Sequence, residues 1–136
     1  MTNGAAPLLL VEDDPQDLFL LQRALQKAGI TLPQRIATNG EQAINYLSGT
    51  GHFADRDAFP IPQAMLLDLK MPFFSGFEVL EWMRSQPHLS GVRVIVLTGS
   101  SMDNDRKRAL ALGAEAYLVK PATPQALADI LSRRPT

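Results

Sequence analysis

Four short apolar runs in this chain end in residues able to do phosphate chemistry. Leu8-Leu9-Leu10-Val11 runs into Glu12-Asp13-Asp14, and Ala64-Met65-Leu66-Leu67 runs into Asp68. Val94-Ile95-Val96-Leu97 ends in Thr98-Gly99, and Tyr117-Leu118-Val119 ends in Lys120-Pro121. Read as buried strands, they deliver acid, acid, hydroxyl and amine at their carboxyl ends, where open α/β sheets bind ligands. Glu12, Asp13 and Asp68 in one crevice would repel and raise one another's pKa values. A hard cation with oxygen ligands, Mg²⁺, relieves that penalty. Asp68 is the candidate nucleophile, because a carboxylate can form an acyl phosphate at the metal's edge. Lys120 can supply a second positive group, and phosphoryl transfer needs alignment and charge neutralisation above all. The Thr98 hydroxyl could donate to a phosphoryl oxygen, with Gly99 leaving room for close approach.

Taken singly, each residue has an ordinary explanation. A strand-end acid is usually solvated or caps the next helix, and Asp14 before Pro15 has the form of such a cap. A strand-end threonine is commonly β-branched packing, and a lysine is commonly solvated. Tyr117 could be a plain strand aromatic or could turn toward the site. The conjunction at four strand ends carries the argument.

The elements that must position these groups alternate short apolar runs with helical periodicity, which predicts a parallel sheet with helices on both faces. Strands are expected over about 8–12, 34–38, 64–67, 92–97 and 116–119, the second being the weakest. The first helix carries Leu18, Leu21, Leu25 and Ala28 on one face and stops at Gly29. The second turns Ala43, Ile44 and Leu47 inward. The third, about 75–86, shows Phe77, Leu80 and Met83 or Arg84 on one side, with Trp82 nearer the edge. The fourth spans about 103–112 and ends at Gly113. The last buries Leu127, Ile130 and Leu131, with Arg133 and Arg134 suiting its negative end. Five such units give a doubly wound, flavodoxin-like five-stranded sheet. The loop 49–62 is long for a compact domain, and its Phe53 and Phe59 are expected to cover the second helix rather than to dock a partner.

At 136 residues the chain is one domain's worth, 1–136 with a core of about 7–132. A net charge of −1 gives no electrostatic reason to expect nucleic acid or an anionic membrane. With no cysteine, disulfides and thiolate chemistry are excluded. Met1 to Pro7 lack a basic-then-apolar signal, and no run is long enough to span a membrane, so cytoplasmic residence is expected.

Together, Val11-Glu12-Asp13-Asp14, Leu67-Asp68-Leu69-Lys70-Met71-Pro72, Leu97-Thr98-Gly99 and Val119-Lys120-Pro121 resemble the signature of bacterial response-regulator receiver domains. The blocks occur in the right order and span nearly the whole chain. The segment before strand three and the Leu-Leu-Asp-Leu-Lys-Met-Pro run are most similar to stand-alone regulators paired with bacteriophytochrome histidine kinases. The resemblance implies a sheet ordered 2-1-3-4-5. It also implies that Asp68 accepts a phosphoryl group from a kinase phosphohistidine. Asp13, Asp68 and the Lys70 carbonyl would ligate Mg²⁺, with Glu12 acting through water. Thr98 and Lys120 would grip the phosphoryl oxygens, and Tyr117 would rotate inward as Thr98 shifts. Lys70 is bulkier and more basic than the family's usual residue there, and Ser100 is smaller, so both bear on phosphoryl lifetime.

The expected protein signals through its surface, with no DNA-binding or enzymatic output domain and only slow self-dephosphorylation as enzymatic character. Its partners would be a sensor histidine kinase, a downstream phosphotransfer or target protein, and a second copy docked through helix four, strand five and helix five. Arg106, Lys107, Arg108, Leu110 and Asp129 lie on those helices. A pseudo-receiver with the same fold and no phosphorylation is the alternative, and the mutually repelling acids argue against it. A flavoprotein would be yellow, and a phosphatase would need a general acid that Leu69 and Lys70 do not supply.

Overall fold

The apolar runs become strands because their β-branched and leucine side chains are buried on both sheet faces, a pattern that parallel sheets require. A computed structural model describes residues 6–132; Arg133 and Arg134 lie outside the described residues. Strands β1 (Leu8–Val11), β2 (Gln34–Ala37), β3 (Ala64–Leu67), β4 (Arg93–Thr98) and β5 (Ala116–Val119) form one parallel sheet. Their order is β2-β1-β3-β4-β5. The helices are α1 (Pro15–Lys27), α2 (Gly40–Ser48), α3 (Gly76–Arg84), α4 (Asp103–Ala111) and α5 (Pro124–Ser132).

Alternate strand residues feed two separate cores. Leu9, Val11, Met65, Leu67, Val94 and Val96 pack with residues of α2, α3 and α4. Leu8, Leu10, Ala64, Leu66, Ile95 and Leu97 pack with α1 and α5 on the opposite face. Register then levels the strand ends. Val11 pairs Leu67, Leu67 pairs Val96, and Thr98 pairs Val119. Glu12, Asp68 and Lys120 therefore leave the sheet at one rim.

Local chemistry sets the boundaries. Asp14 caps α1, its Oδ1 accepting from the amides of Gln16 at 2.8 Å and Asp17 at 3.2 Å, and Pro15 opens the helix. Ser75 and Glu78 form a reciprocal capping box, so Ser75 caps α3 and the helix proper begins at Gly76. That helix ends at Arg84 rather than at about 86, and a 3₁₀ turn at Pro87–Leu89 follows. Strand β4 begins and ends one residue later than expected, so it takes in Thr98. Gly29 and Gly113, at φ of 77° and 106°, stop α1 and α4 as their positions imply. The weak second strand is real but lies at the sheet's edge, which is why it is only partly buried.

On α2 the buried set is Gly40, Ala43, Tyr46 and Leu47, with Ile44 only partly covered. Tyr46 turns in because the loop folds back onto it. Phe53 and Phe59 stand 5.2 and 6.0 Å from its ring, and its hydroxyl donates to the Pro60 carbonyl at 2.8 Å. Arg56 donates to the carbonyls of Tyr46, Leu47 and Phe59. The loop is thus a cover for α2, as its aromatics imply.

Candidate phosphoryl-transfer site

Among the described residues, three polar or charged side chains are buried, namely Glu12, Asp68 and Thr98. All three sit at strand ends. Glu12 and Asp68 are placed by the last rungs of β1 and β3: the Glu12 amide donates to the Ala37 carbonyl at 3.0 Å and the Asp68 amide to the Val11 carbonyl at 3.1 Å. The chain turns at Asp13, which brings its more open carboxylate to the same place. Ligand oxygens of Glu12, Asp13 and Asp68 lie within 4.8 Å of one another. An oxygen-only set of three acids at that spacing fits a hard divalent cation.

Lys120 completes the cluster. Its ammonium donates to Glu12 Oε1 at 2.5 Å, to Asp17 Oδ2 at 2.9 Å and to Asp68 Oδ2 at 3.3 Å. The backbone aims it there, because its amide donates to the Thr98 carbonyl at 2.7 Å just past the last β4–β5 pair. Burial pulls the lysine down, yet the bonds to Glu12 and Asp17 and the charge of Asp68 outweigh it and hold it above the ordinary lysine value. Glu12 moves the other way for an acid. Burial pushes it up to about 7 against the bonds from Lys120 and the Asp14 amide, and the Asp68 charge adds to the rise. The two shifts have different winners: Glu12 loses more hydration than a shared lysine returns, while the lysine gains more from three acids than burial takes away.

The crevice around this cluster holds about 300 Å³, and Asp13, Lys70, Gly99 and Ser100 also line it. Lys70 turns its backbone inward, its amide donating to Asp68 Oδ1 at 3.2 Å. Its side chain runs outward to Asp105 Oδ2 at 3.1 Å. Thr98 is fully buried, with its Oγ1 3.4 Å from the Ser100 amide, so Gly99 and Ser100 form that wall. Tyr117 lies inward among the core residues and its hydroxyl donates to the Ser100 carbonyl at 2.7 Å.

Three contributors are not evident from the sequence. Asp17 sits four residues before the buried Leu21 on α1, and that helical spacing was the available signal. Gly76 lets α3 approach the site: a Cβ there would stand 2.4 Å from the Asp68 carbonyl oxygen. Asp105 accepts from the Ser100 hydroxyl at 2.7 Å and pairs with Lys70, and these bonds hold its carboxyl below the usual range. Nothing in the run Asp103-Asn104-Asp105 separates it from a solvated helix start.

Residues 8–132 match the family model of the response regulator receiver domain. The chain is 33% identical to the response regulator Rcp1 of Synechocystis over 88% of its own length and 79% of that protein's. It superposes on the bacteriophytochrome response regulator AtBRR with a TM-score of 0.82 and 36% identity, covering 93% of this chain and 89% of that one. The phosphorylated cyanobacterial phytochrome response regulator RcpA gives 0.79 and 30%, covering 94% and 89%. The Mn(2+)-bound form of Rcp1 gives 0.77 and 31%, covering 93% and 89%. Some curated relatives are much longer, and the chain spans only 14% of one of them.

Proposed function

The chain belongs to the response regulator receiver family, and on that premise we propose that it takes a phosphoryl group onto Asp68 from a sensor histidine kinase. Buried Asp68, bonded to Lys120 and clustered with Glu12 and Asp13, is the observation that carries this reading. Receiver domains of this family bind Mg²⁺ or Mn²⁺ at such an acidic site. Here Asp13, Asp68 and the Lys70 carbonyl would hold the ion, with Glu12 acting through water. Bound there, it would neutralise charge on the transferring group.

The residues then divide the work. One Asp68 oxygen forms the new O–P bond as the N–P bond to the donor imidazole breaks. Lys120, already held against Asp68 Oδ2, supplies fixed positive charge. Thr98, turned out from behind the Ser100 segment, would meet the phosphoryl oxygens on the β4 side, and Tyr117 would report that change to α4 and β5 through its bond to the Ser100 carbonyl. Hydrolysis slowly returns Asp68 and inorganic phosphate. The product is an altered surface for a target protein, in a cytoplasmic signalling protein rather than an enzyme. A single receiver domain over 1–136, a bacteriophytochrome as the kinase, and a dimer through α4, β5 and α5 belong to the same proposal. The likeness to AtBRR and RcpA supports the kinase assignment.

Incubation with acetyl phosphate and Mg²⁺ tests the reading. Intact mass should rise by one phosphoryl group, and Asp68→Asn should abolish the rise. Equal labelling of Asp68→Asn, or none of the wild type, would overturn it; the second result would favour an unphosphorylated interaction module.

A further inference from the structure

Two donors on the outer wall of the crevice are held by one acid on α4. The Lys70 ammonium lies 3.1 Å from Asp105 Oδ2, and the Ser100 hydroxyl donates to that same oxygen at 2.7 Å. Both Lys70 and Ser100 line the crevice around Asp68. The Ser100 hydroxyl has its one proton committed to Asp105 and accepts from the Met102 amide at 3.3 Å, so it has no donor left for an anion in the crevice. Lys70 is equally divided: its amide faces Asp68 Oδ1 while its side chain is drawn off to the helix.

We infer that Asp105 is a positioning residue, holding the Lys70 ammonium and the Ser100 hydroxyl away from Asp68 until an anion there competes for them. This rests on the reading of Asp68 as phosphoryl acceptor and extends it to how the new charge is felt by α4. The Lys70 side chain is more than half exposed, and such exposed pairs are weak and easily exchanged. A phosphoryl group offers three acceptor oxygens and more charge than one carboxylate. Capturing Lys70 and Ser100 there unties the first turn of α4, and it moves the segment whose carbonyl Tyr117 grips. Coupling is reciprocal, so removing the Asp105 charge must strengthen anion binding at Asp68 by as much as the clasp opposes it.

The test is beryllofluoride affinity in the presence of Mg²⁺, measured by calorimetry on the full chain. Asp105→Asn should bind about threefold to tenfold tighter than wild type, and Asp105→Ala should shift in the same direction. In a background carrying both Lys70→Met and Ser100→Ala the same change should fall below about twofold, a coupling that a purely structural role for Asp105 would not produce. Unchanged or weaker binding by Asp105→Asn overturns the clasp, as does a gain that survives with both Lys70→Met and Ser100→Ala in place. If wild type binds no beryllofluoride, or Asp68→Asn binds it equally well, the phosphoacceptor reading itself falls and the clasp falls with it.

Discussion

The Lys120 ammonium lies 2.5 Å from Glu12 Oε1, tying the end of β5 to the end of β1 across the two strands between them. The same nitrogen reaches Asp68 on β3 and Asp17 on α1. One cation therefore holds together acids that would otherwise push apart the rim of the sheet.

Replacing Lys120 with Met should leave the buried Asp68 carboxylate uncompensated, with Glu12 driven to its neutral form by burial. Breaking a buried pair from one side costs roughly 3–5 kcal/mol, and water reaching a partly open site lowers that to about 2–4. Urea unfolding at neutral pH should show the loss, and added Mg²⁺ should recover part of it. Acetyl phosphate labelling should disappear. A variant as stable and as readily labelled as wild type would remove Lys120 from the site.

Gly76 predicts a second sensitivity. An alanine Cβ would meet the Asp68 carbonyl oxygen at 2.4 Å and Leu69 Cα at 2.8 Å, both backbone atoms without a rotamer to yield. The loop between Asp68 and α3 must shift, although the Gly76 amide is bonded to the Leu69 carbonyl at 3.1 Å. Gly76→Ala should cost about 1–3 kcal/mol and slow phosphorylation at the displaced Asp68. A labelling rate equal to wild type would show that the loop can yield without moving the acid.

The sheet and its rim were legible because burial on both faces writes itself as uninterrupted apolar runs. The residue after each run then stands at a strand end by construction. Glu12, Asp13, Asp68 and Lys120 could be placed together on that ground alone. Asp17 and Asp105 could not, since which acid a lysine finds depends on the path of the α1 and α4 first turns over the sheet. The sequence puts Thr98 one residue past its strand, whereas it is the last residue of β4 and its side chain is buried behind the Ser100 wall. Tyr46 is not legible as a core residue because it is buried by the 49–62 loop, a segment with no periodicity to read.

That loop gives a third expectation. Arg56 donates to three main-chain carbonyls, two at the end of α2 and one within the loop itself. Arg56→Ala should cost about 1–3 kcal/mol and raise amide exchange across 49–62. Labelling by acetyl phosphate should stay at the wild-type level. A marked fall would mean the loop does more than cover α2.

Glu12 carries the pH dependence. Its carboxyl titrates at 4.5 in an unperturbed chain and is pushed up to about 7 in the fold by burial. Between those values the folded protein keeps a proton that the unfolded chain has released. The group's contribution to stability therefore falls as pH rises from about 4.5 to about 7, and stays low above that. An acid whose folded value is depressed, such as Asp105, acts in the opposite sense, and its contribution is lost only under more acidic conditions. Glu12→Gln removes the titration and leaves Lys120 its bonds to Asp17 and Asp68. The variant should gain on wild type by about 2–3 kcal/mol between about pH 4.5 and pH 8, read as the difference between two unfolding series. The same proton must leave before a cation draws on Glu12, so Mg²⁺ should bind wild type more tightly at about pH 8 than at about pH 6 and release protons as it does. Calorimetry in two buffers of different ionisation enthalpy measures that release directly. A proton count of zero at about pH 6, or parallel stability curves for the two proteins, would place the Glu12 carboxylate in its charged form throughout.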